Sequence, residues 1–68
     1  MQEITFLVEE APEGGYTARA LGQSIYTESD TWDELKLAVR DAILCHFETE
    51  ERPHTVRLHF LRQEVFVV

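Results

Sequence analysis

The sequence has a single cysteine, Cys45, so no disulfide can form within the chain, and a lone cysteine fits a reducing compartment. No apolar run approaches the roughly 20 residues that a membrane-spanning helix needs. The opening stretch MQEITFLVEE lacks the basic region and the cleavage site of a signal peptide. We therefore expect a soluble, cytoplasmic protein that does not bind membranes.

Basic residues are also scarce: 6 Lys and Arg stand against 13 Asp and Glu, which gives a net charge of -7. An acidic surface repels phosphate groups, so direct nucleic-acid binding is not expected. The acidity suits a basic protein partner, or it serves solubility alone. Residues 1–68 are short enough to form one domain with a small core, so self-association or a partner is expected to add stability.

Alternating apolar residues mark the first half of the chain. In EITFLVEE, the residues Ile4, Phe6 and Val8 share one side, which is the period of a half-buried strand. The segments YTARAL and SIYTE continue the pattern. The short connections between the three segments predict an antiparallel meander.

The first connection, APEGG, contains Gly14 and Gly15. Glycines can cradle a phosphate, but a phosphate-binding loop leads directly into a helix. These two glycines lie between strands instead. We therefore predict a structural turn in which glycine supplies a positive φ.

The segment DTWDELKLAVRDAILCHFE has apolar residues at helical spacing, which predicts an amphipathic helix. Thr31 and Glu34 fit a capping box at its start, in which the threonine hydroxyl accepts from an early backbone N–H and the glutamate reaches back to the cap. The predicted apolar stripe comprises Leu35, Ala38, Val39, Ala42, Ile43, His46 and Phe47.

After Pro53, which ends the helical region, TVRLHFL alternates again and predicts a fourth strand. The sequence therefore indicates an α+β fold of order β-β-β-α-β, an antiparallel sheet with one helix on one face. The apolar run Val65, Phe66, Val67 and Val68 is either a bent continuation of the fourth strand or a short fifth edge strand. Such an edge recruits another strand, so this run is a candidate interaction edge for a homodimer, the alternative being pairing within the chain.

Four possible metal ligands, Cys45, His46, His54 and His59, do not have the spacing of a zinc site. Cys45 and His46 are helix neighbours and point about 100° apart. A small residue at the edge of the core explains Cys45, and a position in the last turn of the helix, where the dipole favours a cation, explains His46. Surface positions explain His54 and His59. The carboxylates cluster in turns and at helix ends, where no pocket is expected to bury a catalytic pair. We expect no catalytic residue, no metal and no cofactor.

These segments together resemble the N-terminal domain of the HicB family of antitoxins, over about residues 2–61. The family has an acidic glycine turn that opens a Gly-Tyr strand, followed by a Thr-x-x-Glu helix start. The matching positions are Glu13, Gly14, Gly15, Tyr16, Ala18, Asp30, Thr31, Glu34, Val39, Ala42 and Ile43.

The resemblance implies a partial RNase H-like fold and a non-catalytic domain that neutralises a small basic HicA toxin, an mRNA-cleaving protein. Full HicB antitoxins add a C-terminal DNA-binding module, for which these 68 residues leave no room, so autorepression by this chain is not expected. Two alternatives stay open. One is an orphan domain that only self-assembles, and the other is a ligand or enzyme site at an oligomer interface.

Overall fold

The computed structural model describes residues 2–62 and 64–68. The secondary-structure elements are β1 (Glu3–Glu10), β2 (Tyr16–Ala20), β3 (Tyr26–Ser29), α1 (Trp32–His46), a 3₁₀ turn (Thr49–Glu51) and β4 (Thr55–Leu61). This order confirms the α+β prediction of β-β-β-α-β. Across the described residues, no helix combines the length and the apolar character needed to cross a membrane.

The four strands form one sheet in the order β3-β2-β1-β4. β1 pairs antiparallel with β2, and β2 with β3, as the short connections predict. β4 instead runs parallel to β1, with Val56 opposite Ile4 and Phe60 opposite Val8. The sheet is therefore mixed, and the antiparallel prediction holds for its first three strands only. The reason is that α1 connects β3, at one edge of the sheet, to β4, at the other edge. The chain runs back along this helix, so β4 takes the same direction as β3, which is also the direction of β1.

The core lies between α1 and one face of the sheet. Alternation along β1 and the spacing of three to four residues along α1 turn apolar side chains toward each other. The buried apolar residues are Ile4, Phe6, Val8, Ala18, Ala20, Ile25, Leu35, Val39, Ile43 and Phe47. His46 is exposed although the sequence places it on the apolar stripe, because Phe47 takes the buried position and the His46 ring lies edge-on beside it, 4.9 Å between centroids.

The helix lies over β2 and β3 more closely than over β4. The helix-side residues of β4 are therefore incompletely covered: Leu58 and Phe60 are half-buried and Val56 is exposed. Phe60 completes an aromatic cluster with Tyr16 and Trp32, in which ring centroids are 5.5 to 5.9 Å apart. Val56 and Leu58, the other helix-side residues of β4, line an open groove between β4 and α1.

No strand forms in residues 64–68, so neither of the two alternatives from the sequence, a bent continuation of the fourth strand or a short fifth edge strand, is present in this part of the chain. The molecule measures 52 × 18 × 18 Å, whereas the longest strand, of eight residues, accounts for only about 27 Å. The segment Val65–Val68 therefore projects from the domain. A strand requires a hydrogen-bonded neighbour, and this segment does not turn back to the free edge of β4 to find one.

Candidate interaction surfaces

The turn between β1 and β2 has the glycine conformations that the sequence predicts. Gly14 and Gly15 have φ values of 103° and 84°, a region that side chains with a Cβ rarely adopt. The Ala11 N–H donates to the Gly15 carbonyl oxygen, and the Gly14 N–H donates to the Ala11 carbonyl oxygen, both at 3.0 Å. These bonds fix a tight loop that brings Glu13 near the end of β3.

The start of α1 is capped by Thr31, as predicted. The Thr31 hydroxyl accepts a hydrogen bond from the Glu34 N–H at 3.2 Å and donates one to Glu34 Oε1 at 3.1 Å. The glutamate thus returns to the threonine hydroxyl, whereas the capping-box pattern takes it to the backbone N–H. The bond holds the Glu34 carboxylate at the helix N-terminus, where the helix dipole favours negative charge.

The glycine turn, the end of β3 and the start of α1 together form a polar depression of about 410 Å³. We call it the acidic depression, because four carboxylates line it: Glu13, Glu28, Asp30 and Glu34. None of the four forms a salt bridge within residues 2–62 and 64–68. In the same residues, no three His, Cys, Asp or Glu side chains lie close enough to hold a metal ion. The depression offers uncompensated negative charge to a basic surface.

Tyr26 lies beside one of these carboxylates, Glu28. Its hydroxyl donates to Glu28 Oε2 at 3.4 Å. Desolvation first, and then the charge and hydrogen bond of Glu28, raise the pKa of the Tyr26 phenol above its ordinary value. The Tyr26 phenol is therefore held in its neutral, hydrogen-bond-donating form beside the Glu28 carboxylate.

A second surface lies between α1 and β4. It is an apolar groove of about 400 Å³, whose apolar walls are formed by Val39, Ile43, Leu44, Val56 and Leu58. Lys36, Arg40 and Arg52 also line it, so three of the six Lys and Arg residues in an acidic chain meet here. We call it the cation-rimmed groove. Sequence reasoning missed it, although Lys36 and Arg40 are four residues apart and therefore share a helix face.

Arg52 joins the end of α1 to this groove. Its Nη2 donates to the Leu44 carbonyl oxygen at 3.3 Å, near the helix C-terminus, where the dipole favours a cation. Its Nε is buried and has no acceptor within the described part of the chain. A buried guanidinium N–H without an acceptor is uncommon, and a carboxylate is its best-matched partner.

The other residues considered from the sequence stay apart. Cys45 is exposed, whereas the sequence suggested the edge of the core, because it lies on the solvent side of α1. His46 Nε2 lies 3.2 Å from Gln23 Oε1, and His54 lines the cation-rimmed groove. His59 is exposed on β4.

Fold and surfaces thus define a small α+β protein with two chemically distinct surfaces, the acidic depression and the cation-rimmed groove. The sequence is 58% identical over 50 residues to a UPF0150 protein of Archaeoglobus fulgidus, covering 74% of each chain. It is 37% identical over 67 residues to a UPF0150 protein of Thermotoga maritima, covering 98% of this chain and 94% of the relative. The chain belongs to the UPF0150 family. No family model matches the sequence, and no solved structure matches it.

Proposed function

We propose that this chain is a non-catalytic protein-interaction domain that binds a small basic protein through the acidic depression. By its resemblance to HicB antitoxins, the partner is a HicA-like mRNA-cleaving toxin, and binding neutralises it. The observation that carries the proposal is the convergence of four carboxylates from three elements, with no cation of the described chain paired to them.

The mechanism is electrostatic masking. A toxin that binds RNA presents Lys and Arg side chains to phosphate groups. Carboxylates held by the glycine turn and by the helix cap would take the place of those phosphates. Opposite potentials speed the encounter and fix the orientation of the two proteins. RNA is excluded twice, because the basic surface is covered and because the bound domain adds a net charge of -7.

Self-association is the second part of the proposal. The segment Val65–Val68 is apolar and exposed, which is unfavourable for an isolated molecule in water. Pairing of this segment with a second copy buries it and gives a two-fold homodimer. We place this activity in the cytoplasm, where the lone thiol of Cys45 stays reduced, without direct contact to nucleic acid or membrane.

Affinity capture from the native lysate at moderate salt, read by mass spectrometry, tests the basic-partner proposal. The bait is the wild-type chain, beside a triple variant of the depression with Glu13→Gln, Glu28→Gln and Asp30→Asn. Glu34 is left intact because it belongs to the helix cap. The matched control neutralises three exposed carboxylates elsewhere, Glu48→Gln, Glu50→Gln and Glu51→Gln.

Both triple variants change the net charge equally, so a difference between them reports the location of the charge and not its total. We expect the wild type and the control to capture a small basic protein that high salt releases. The depression variant is expected to lose at least about tenfold in affinity. Equal capture by the two triple variants, or no basic protein on the wild-type bait, contradicts the proposal.

A further inference from the structure

The cation-rimmed groove and the projecting segment Val65–Val68 are both apolar surfaces that are open to solvent. We propose that they are complementary, and that residues 64–68 of a second copy occupy the groove, with Phe66 against its apolar walls and Glu64 near its cations. This deepens the self-association part of the proposed function and rests on it. It is independent of the acidic depression and of any basic partner.

The segment has the amino-acid composition of a β-strand but no neighbouring strand within the described chain. Val65, Phe66 and Val67 are 94%, 79% and 98% exposed. Valine and phenylalanine favour extended backbone on a partly buried surface. Four consecutive exposed apolar residues are characteristic of an interaction site and are rare on the surface of a monomer.

The edge of the sheet next to the groove can receive such a strand. β4 is an edge strand whose outer side has no partner in the described chain. An extended segment paired along β4 sends alternate side chains to opposite faces, so Phe66 and Val68 would point to the same side. On the helix side they meet the groove, whose volume of about 400 Å³ lies within the range of roughly 300–1,000 Å³ for pockets that bind small ligands.

Charge complementarity also favours residues 64–68 as the occupant of the groove. Glu64 precedes Phe66 by two residues, a distance of about 7 Å in extended backbone. With Phe66 in the groove, the Glu64 carboxylate therefore comes within reach of the long side chains of Arg40 and Arg52. The buried Nε of Arg52, which has no acceptor in the described residues, could then turn toward an ionic partner.

The geometry favours a second copy over the segment of the same chain. The groove contains His54, Val56 and Leu58, from the beginning and middle of β4. Val65 instead lies with Leu61 and Arg62, beyond the opposite end of that strand, from which the segment projects away. Two copies each offer one segment and one groove, so reciprocal exchange closes a two-fold dimer and leaves neither surface free.

A charge-swap experiment tests the proposal. The dissociation constant of the dimer is measured by sedimentation velocity over a dilution series for the wild type, Arg40→Glu, Glu64→Arg and the double variant. Phe66→Ala removes the anchor, and its matched control is Leu37→Ala, an exposed apolar residue of α1 outside the groove. Circular dichroism of each variant verifies that the fold is intact.

We expect a wild-type dimer, a dissociation constant raised at least about tenfold by Phe66→Ala and by each single charge reversal, and recovery in the double variant. Leu37→Ala should leave the constant unchanged. A dimer that tolerates Phe66→Ala or Arg40→Glu overturns the groove as the contact while self-association stands. A wild type that is monomeric at every concentration overturns both, whereas the capture of a basic protein by the acidic depression is decided separately.

Discussion

Gly15 lies so close to Ser29 that a Cβ atom at position 15 would be 2.7 Å from the Ser29 carbonyl oxygen. Gly14, the preceding residue, has open space where its Cβ would be, but its φ is +103°. The two turn glycines are thus restrained differently. The backbone angle alone restrains Gly14, whereas Gly15 is restrained both by its angle and by a neighbouring strand that cannot rotate out of the way.

We predict that Gly15→Ala lowers the free energy of unfolding more than Gly14→Ala does. The positive φ alone should cost about 1–2 kcal/mol at position 14. At position 15 the contact with β3 adds to a cost of that kind. In a domain of this size, 1 kcal/mol corresponds to about 4–8 °C in melting temperature, so thermal melts resolve the difference. Equal losses at both positions would show that the contact with Ser29 relaxes without cost.

The cap of α1 gives a second prediction. Thr31→Ala removes the acceptor of the Glu34 N–H and should lower the free energy of unfolding by about 1 kcal/mol. Thr31→Ser keeps the hydroxyl and is expected to retain most of the stability. Urea unfolding followed by helical circular dichroism measures both. Equal destabilisation by serine and alanine would assign the effect to the lost methyl group.

Substitution of two phenylalanines, Phe6 in the core and Phe66 in the projecting segment, should affect stability very differently. Phe6 has no exposed surface, and Phe6→Ala should cost about 3–5 kcal/mol. A chain of 68 residues has a total stability of roughly 3–10 kcal/mol, so this variant should be close to unfolded at 25 °C. Phe66→Ala, at concentrations where the chain is monomeric, should leave the unfolding curve unchanged. A large loss for Phe66→Ala under those conditions would mean that the ring packs on its own domain.

The ion pair between Arg57 and Glu3 joins β4 to β1, with 2.6 Å between Arg57 Nε and Glu3 Oε1. Both side chains are partly exposed, so we predict a coupling energy below about 1 kcal/mol that decreases as salt is added. A double-mutant cycle with Glu3→Gln and Arg57→Met measures it. A coupling that is larger and indifferent to salt would show that the pair is shielded from water.

The local features of the fold could be predicted from the sequence. The turn at Gly14 and Gly15 and the cap at Thr31 each depend on atoms only a few residues apart, so residue type and spacing suffice. The alternation in β1 gives the buried face directly. These are the features that position the acidic depression.

The direction of β4 and the state of Val65–Val68 could not be predicted in this way, because both depend on which strand lies alongside. Alternation in TVRLHFL identifies a strand but is the same for parallel and antiparallel pairing. The cation-rimmed groove could not be predicted for the same reason, because it depends on contacts between parts of the chain that are distant in the sequence. Lys36 and Arg40 are neighbours by helical spacing, but Arg52 joins them only because the turn at Thr49–Glu51 leads the chain back along the helix.

The pairing of β1 with β4 also has a consequence for biosynthesis. β2 follows β1 after a short turn, whereas β4 becomes available only after the meander and the whole helix have been made. The paired residues of β1 and β4 are far apart in the sequence, which raises the contact order of the domain. The long loop between them must close, at a cost in entropy, before the pairing of the two strands contributes any stability. On the ribosome, the outer edge of β1 stays without its neighbour until Thr55–Leu61 have left the exit tunnel. In a nascent chain stalled before that point, β1 would be an open edge strand, although it is an inner strand of the complete sheet.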